Sequence, residues 1–511
     1  RLFFPQYFFR GELPVWRSTY VVRVPAEQRL YYWLRNWDSA ASRRRGSPIS
    51  RLFGLGRSRA EGWTGLVTGD DGERYREYRW EKREVPPLVE EPGMPPRWIV
   101  APSVHGTIFE DWSVLNEITG GMQKERIQVS PRIRELAARI TKGAAGKEDR
   151  IARLYHWVQK NVRYISVKAS LSSGWAGHPA EETLDQGYGD CTDKSVLLCS
   201  LLRAIDVEAE PLVVRTNDRG LFIPAYPFLA CNHCITEVRF DGRTLFLDST
   251  SQDYRFPYFR GDNHGVLAIN FIRGTREVIP VPPGMEANGK VAEDSIRVRP
   301  DGAVEVRSDN RYTGMYEAGL RAGWKRVPEQ VRDQAMQQYL NTLAPGAQLL
   351  EFRLGDAEDL SRPFTLGYEY LLPDYVQQAG PYRLFQFPDR EIDFRELSLE
   401  KRRFPLTYTT SQGLHRTAVL HLPDRMEVAE LPPDVCIESK NLSYSETYEV
   451  EENRITLTAR FERGARRILP EDYPEFRKTA RRIEEITRKP LYLKAHSSAS
   501  GADDRNSRPE S

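Results

Sequence analysis

Tyr188-Gly189-Asp190-Cys191-Thr192-Asp193-Lys194 is the stretch that decides how this chain reads. The Gly-Asp pair makes a tight turn and delivers a cysteine to the first position of an apolar helix. Asp190 is the expected N-cap, and Asp193 falls in the first turn, where a carboxylate suits the positive end of the helix dipole. Leu198, Leu201, Leu202 and Ile205 recur at helical spacing, which predicts a helix buried along one face. A thiol at that helix end meets unpaired backbone N–H groups, and these favour the thiolate. Cys199, two turns further among leucines, reads as a core residue.

Outward toward the C-terminus, Val238-Arg239-Phe240-Asp241-Gly242-Arg243-Thr244-Leu245 places Asp-Gly between two strand-like runs, the strongest short hairpin signal. A two-residue turn puts Phe240 opposite Arg243, Ile235 opposite Asp248 and His233 opposite Thr250. His233 and Asp248 are then diagonal neighbours on one face of the ribbon. Diagonal pairs have Cα separations of about 7–8 Å, within reach of long side chains. A carboxylate there would fix the tautomer of the imidazole and stabilise its charged form. If the ribbon packs on the tip of the cysteine helix, Cys191, His233 and Asp248 form a nucleophile–base–orienter triad. From the residues alone two readings stay open: this triad, or a surface histidine and a turn aspartate.

Cys231-Asn232-His233-Cys234 has the spacing of a zinc half-site or a redox pair. A structural zinc needs four ligands, and His264 and Cys199 are the only further candidates nearby. A redox motif of the thioredoxin kind opens a helix, whereas this one opens a strand. The expectation is therefore no metal and no organic cofactor. Trp175, in the loop before the cysteine helix, is a candidate for substrate binding, as a cleft wall or an aid to the oxyanion hole. It reads equally well as a packed loop aromatic. The Cys191 backbone N–H is the more direct oxyanion donor.

Around this core, strand-like pieces (Arg17–Pro25, Trp63–Thr68, Arg74–Arg83) predict a β-rich N-terminal domain over 1–130. It is interrupted by an Arg-rich piece from Ser42 to Arg59 that reads as a solvated loop. Ser130 and Pro131 start a helix, and a second runs from about Lys147 to Asn161. The catalytic core is assigned to 131–284, ending at the proline-rich Ile279-Pro280-Val281-Pro282-Pro283-Gly284. A β-rich C-terminal region with helices follows over 285–494, then a disordered tail over 495–511.

At 511 residues the chain exceeds one ordinary domain, given ~150 residues each. Its 74 basic and 72 acidic residues nearly cancel, which argues against a dedicated nucleic-acid binder. Five cysteines are too few for a disulfide scaffold in so long a chain. The longest apolar run, Val196 to Ile205, is broken by Ser200 and Arg203 and falls short of the roughly 18 residues that span a bilayer. The chain starts Arg1-Leu2-Phe3-Phe4 without methionine, which suggests a fragment or processed product and a truncated first domain.

Tyr155 to Ile269 resembles the transglutaminase-like superfamily in its bacterial multidomain branch. The likeness rests on His178-Pro179-Ala180-Glu181-Glu182-Thr183-Leu184, Gly189-Asp190-Cys191-Thr192-Asp193-Lys194, Asn232-His233 and Leu247-Asp248-Ser249-Thr250. Tyr78-Arg79-Trp80 through Pro96 looks like the end of the β-rich domain that precedes such cores. Asn441-Leu442-Ser443-Tyr444 and Leu469-Pro470-Glu471-Asp472-Tyr473-Pro474 look like the domain that follows. The resemblance implies an α+β protein whose papain-like transglutaminase core is flanked by β-sandwich-like domains. It implies Cys191 as nucleophile, His233 as base and Asp248 as orienter, acting on a protein or peptide substrate. It also favours an extracytoplasmic location. It leaves protease, amidase and cross-linking activity open. The competing expectation is a non-catalytic binding or assembly protein that uses the core as a scaffold.

Overall fold

The computed structural model describes residues 3–37, 63–166, 174–464 and 466–495. The Arg-rich piece from Ser42 to Arg59 and the tail from His496 lie outside the described residues.

In the N-terminal region two antiparallel three-stranded sheets form. One orders Gln6–Phe8, Ser103–Thr107 and Tyr31–Arg35; the other orders Val15–Pro25, Arg74–Val85 and Trp63–Thr68. Phe9, Val22, Val24, Leu30, Leu34, Tyr78, Trp80 and Val104 make up their shared core. The region is less purely β than the sequence suggests. Arg97–Val100, Ser113–Leu115 and Gly121–Arg126 are short helices, and Asn116–Gly120 is a single π-turn. None is long enough to show a helical repeat in the sequence.

A five-stranded antiparallel sheet follows, ordered Arg243–Leu247, His233–Phe240, Glu208–Val214, Leu267–Asn270, Thr275–Val278. Its first hairpin has the register the Asp-Gly turn predicts: Phe240 pairs with Arg243 and Thr236 with Leu247. Asp241 and Gly242 both have positive φ (48° and 73°), the pair of values a type I′ turn requires. The helix Cys191–Arg203 lies on the two central strands, and the helices Pro131–Thr141 and Lys147–Asn161 cover its other side.

That enclosure corrects one expectation. The cysteine helix is buried around its whole circumference from Cys191 to Leu202, not along a single stripe. Even Lys194 is inside, its Nζ donating to the carbonyls of Val158 (3.2 Å) and Val162 at the C-terminal end of the Lys147–Asn161 helix. Burial pulls the Lys194 ammonium down to about 8, with Asp248 acting in the opposite direction.

An eight-stranded sheet dominates the C-terminal region. Its order is Gln348–Leu354, Thr365–Leu372, Val304–Tyr312, Gly289–Val298, Gln412–His421, Arg454–Arg463, Ser443–Glu451, Val435–Glu438. All pairs are antiparallel except Gly289–Val298 with Gln412–His421. Trp324, Met336 and Leu340, from the helices Gly314–Lys325 and Arg332–Leu343, pack into its core. The helix Tyr473–Thr487 buries Phe476, Ala480 and Ile483 against Phe394 and Phe461. The last strand, Leu491–Ala495, reaches one residue into the expected tail.

The three regions are bonded to one another. Arg402 Nη2 donates to the Pro92 carbonyl (2.7 Å), Asn217 Nδ2 to the Thr409 carbonyl (2.9 Å), and Arg255 pairs with Glu317 (2.9 Å).

Candidate active site

A capping box sets the direction of the Cys191 helix. Asp190 Oδ1 accepts from the N–H groups of Thr192 (2.8 Å) and Asp193 (3.1 Å), while Asp193 Oδ2 accepts from Asp190 N–H (2.8 Å). Lys194 N–H bonds to the Asp190 carbonyl. Asp190 thus engages three of the four first-turn donors and leaves that of Cys191. Asp193 Oδ1 also accepts from His178 N–H (2.7 Å) and Nδ1 (3.0 Å), which ties the preceding loop to the helix tip. Gly189 is required here: a Cβ on it would lie 2.6 Å from Asp193 Cβ. Asp190→Ala is expected to destabilise the protein by about 1–2 kcal/mol. An unchanged urea midpoint would refute the capping role.

His233 and Asp248 meet as a buried pair. His233 Nε2 lies 2.8 Å from Asp248 Oδ2, and Asp248 is 0 % exposed. With Nε2 engaged, Nδ1 is the nitrogen left for the Cys191 thiol, which lies close enough to act on the imidazole. Burial alone would push the imidazole down, but the Asp248 charge and hydrogen bond, aided by the Cys191 sulfur, raise it to about 10. Burial likewise pushes the Asp248 carboxyl up, yet His233 and the hydrogen bonds around it hold it well below the usual carboxylate range.

Asp248 is saturated with donors. Asn263 Nδ2 reaches Oδ2 (2.8 Å); Thr250 N–H (3.0 Å) and Thr250 Oγ1 (2.6 Å) reach Oδ1. Arg260 Nε stands 3.9 Å from Oδ2, and the Tyr155 hydroxyl donates to the Asp248 carbonyl (3.0 Å). Sequence reasoning missed Asn263, Arg260 and Tyr155. The first two arrive on the irregular segment 250–264, where no periodicity marks a residue's direction.

Cys191 is only 1 % exposed. It shares an apolar cluster with Leu115, Val213, Cys234, Ile269 and Phe271. Phe4, Phe109, Trp112, Trp175, Leu229 and Cys231 pack against that cluster. Trp175 therefore packs on the cluster that holds the cysteine, and its carbonyl accepts from the buried Gln123 Nε2 (2.9 Å), another residue the sequence did not flag. Cys199 is wholly buried in the helical core, and burial pushes its thiol up to about 12. No disulfide joins any of the five cysteines, and among the described residues no group of three or more His, Cys, Asp or Glu side chains is placed to hold a metal.

Residues 134–248 match the family model of the transglutaminase-like superfamily, and 382–493 match that of a domain of unknown function with solved structure, DUF3858. The chain is therefore a multidomain protein built around a transglutaminase-like core. Its α+β fold combines that core with β-rich flanking regions. A crystal structure described as a putative protease from Parabacteroides distasonis superposes with a TM-score of 0.56 at 12% identity, covering 96% of this chain and 74% of that one. A structure described as a putative cysteine protease from Cytophaga hutchinsonii aligns at 12% identity over 48% of this chain and 74% of that one. Its TM-score is 0.20. No curated protein matches the chain. Among the described residues no helix is long and apolar enough to cross a membrane.

Proposed function

We propose that this chain is a cysteine-dependent acyl-transfer enzyme acting on amide or peptide bonds, with residues 131–284 as its catalytic core. The observation that carries the reading is the buried, hydrogen-bonded His233–Asp248 pair beside a thiol at a capped helix N-terminus. The Cys191 sulfur attacks the carbonyl carbon, and the oxyanion forms toward the Cys191 N–H that Asp190 leaves unengaged. His233 then donates its proton to the departing amine, which leaves as the C–N bond breaks and a thioester remains. Water, or a second amine, attacks the thioester with His233 as base and releases the acyl group. Asp248 holds the imidazole in place throughout. Neither a metal nor an organic cofactor enters these steps. Hydrolysis and cross-linking differ only in the acceptor that reaches the thioester.

The test is to trap the acyl-enzyme from a peptide library and map it by mass spectrometry. The adduct is expected on the peptide that contains Cys191 and is expected to vanish in Cys191→Ala. An adduct that persists in that variant, or that maps to the exposed Cys436, sinks the assignment. The scaffold reading draws on the near-complete burial of Cys191. Full cellular function of Cys191→Ser would favour it.

A further inference from the structure

Close to the candidate site, basic and aromatic polar groups crowd together with no carboxylate among them. Trp33 and Arg35 lie on the strand Tyr31–Arg35, and His105 on the strand beside it, where Trp33 and His105 are paired. The Trp33 and His105 rings stack at 5.2 Å, and both contact Phe222, at 6.2 and 5.2 Å between centroids. The guanidiniums of Arg35 and Arg215 lie 4.9 and 5.5 Å from the centroid of that same Phe222 ring. Side chains from the N-terminal region and from the core thus converge on one aromatic residue.

Most of these polar groups lack a counterpart. Trp33 Nε1 and His105 Nδ1 are buried with no hydrogen-bond partner, the other His105 nitrogen being engaged by Ser103 Oγ (3.0 Å). Arg35 is 8 % exposed, and among the described residues its guanidinium has neither a carboxylate nor a hydrogen-bond acceptor. Arg215 donates to the carbonyls of Arg219 and Ala230; Cys231 and, less strongly, Asp218 act on it from a distance, and Asp218 is itself paired with Arg219 at 3.7 Å. Arg467 adds to the repulsion on Arg35, which together with burial is pulled down to about 10. Orphaned buried polar atoms are rare in native folds, and two of them in rings that touch Phe222, beside two guanidiniums with no carboxylate partner among the described residues, describe a place for an anion.

Position gives the anion a role. Arg215 follows Val214, the register partner of His233, so the cluster stands at the same end of the sheet as the candidate triad. Phe4 packs both on the apolar cluster of Cys191 and on that of Trp33, Phe222 and Phe228. The half-buried Arg215 and Tyr226 give the donors their solvent side. A planar carboxylate suits guanidinium forks, and the aromatic walls suit the carbon chain that bears it.

We propose that Arg35, Arg215, Trp33 and His105 form a carboxylate-binding pocket that anchors an acidic group of the peptide substrate beside Cys191. The pocket's place in the reaction rests on the acyl-transfer reading; its affinity for a carboxylate does not.

Two measurements on the full chain test it. In thermal unfolding, glutarate should raise Tm by several degrees over sodium chloride at matched ionic strength. Arg35→Gln and the more exposed Arg215→Gln should each remove most of that shift. Equal Tm values in the two salts, an equal rise with sulfate, or an undiminished shift in both variants would overturn the pocket. In the acyl-enzyme mapping, peptides captured on Cys191 should be enriched in acidic groups at a fixed distance from the scissile bond, at least several-fold, and Arg215→Gln should abolish the enrichment. Capture on Cys191 without acidic preference defeats the pocket alone. No capture on Cys191, with the glutarate shift intact and lost in the variants, defeats the catalytic reading and leaves the pocket standing.

Discussion

Asp248→Asn is expected to slow acyl-enzyme formation on Cys191 by on the order of 10³–10⁴-fold, the scale on which a triad orienter acts. The reason is more than lost charge. Four donors converge on this carboxylate, from His233, Asn263 and the backbone and hydroxyl of Thr250. An amide offers one oxygen, and its NH₂ would face donors on the other side. His233 would then be buried without its counter-charge, and its pKa would fall as burial takes over. Breaking one partner of a buried pair also destabilises by about 3–5 kcal/mol. The pH dependence has a definite sign. The His233 pKa is raised from 6.5 to about 10, so the pair's contribution is complete below pH 6.5 and is lost as pH rises through 10. Unfolding free energy of the parent protein should fall across that window, and the fall should be absent in Asp248→Asn. Identical pH profiles, or unaltered acylation, would contradict the orienter role.

Glu317→Ala is the largest purely structural effect expected, a loss of about 3–5 kcal/mol. Glu317 Oε1 accepts from Arg321 Nε (3.1 Å) and Nη2 (2.9 Å), from Phe364 N–H (3.1 Å) and from Arg255 Nε (2.9 Å), and Oε2 accepts from Arg255 Nη2 (3.0 Å). The Arg321 side chain is wholly buried, so alanine strands a cation in the interior. Arg255 belongs to the segment 250–264 that brings Asn263 and Arg260 to Asp248. The substitution should therefore also speed amide hydrogen exchange in that segment. A change in unfolding free energy below about 1 kcal/mol, the range of exposed pairs, would show that this cluster does not hold the core to the C-terminal region.

Local chemistry made part of the architecture readable in advance. Asp241-Gly242 dictated a turn, the turn dictated a register, and the register put His233 diagonal to Asp248. Asp190 and Asp193 announced the helix start because capping is settled within four residues. Ser130-Pro131 did the same for the Pro131–Thr141 helix, with Ser130 Oγ accepting from Ile133 N–H. What remained hidden depends on packing between distant segments. Lys194 sits on a helix whose stripe suggested one buried face, and nothing nearby shows that two more helices close over the other. Asn263 carries no signal because it closes a single 3₁₀ turn, Gly261–Asn263, too short to show a period. The groups around Phe222 were illegible for the same reason: Trp33, His105 and Arg215 are far apart in sequence, and their shared want of an anionic counterpart exists only once they meet.

The seclusion of Cys191 has a kinetic consequence. A cysteine that is 1 % exposed reaches neither oxidant nor peptide while Phe4, Phe109, Trp112 and Trp175 keep their places around its cluster. Reactivity then becomes a property of rare openings, and the frequency of those openings sets a ceiling on turnover. Small electrophiles should outpace bulky ones by more than their intrinsic chemistry allows, and loosening Phe4 should narrow that gap.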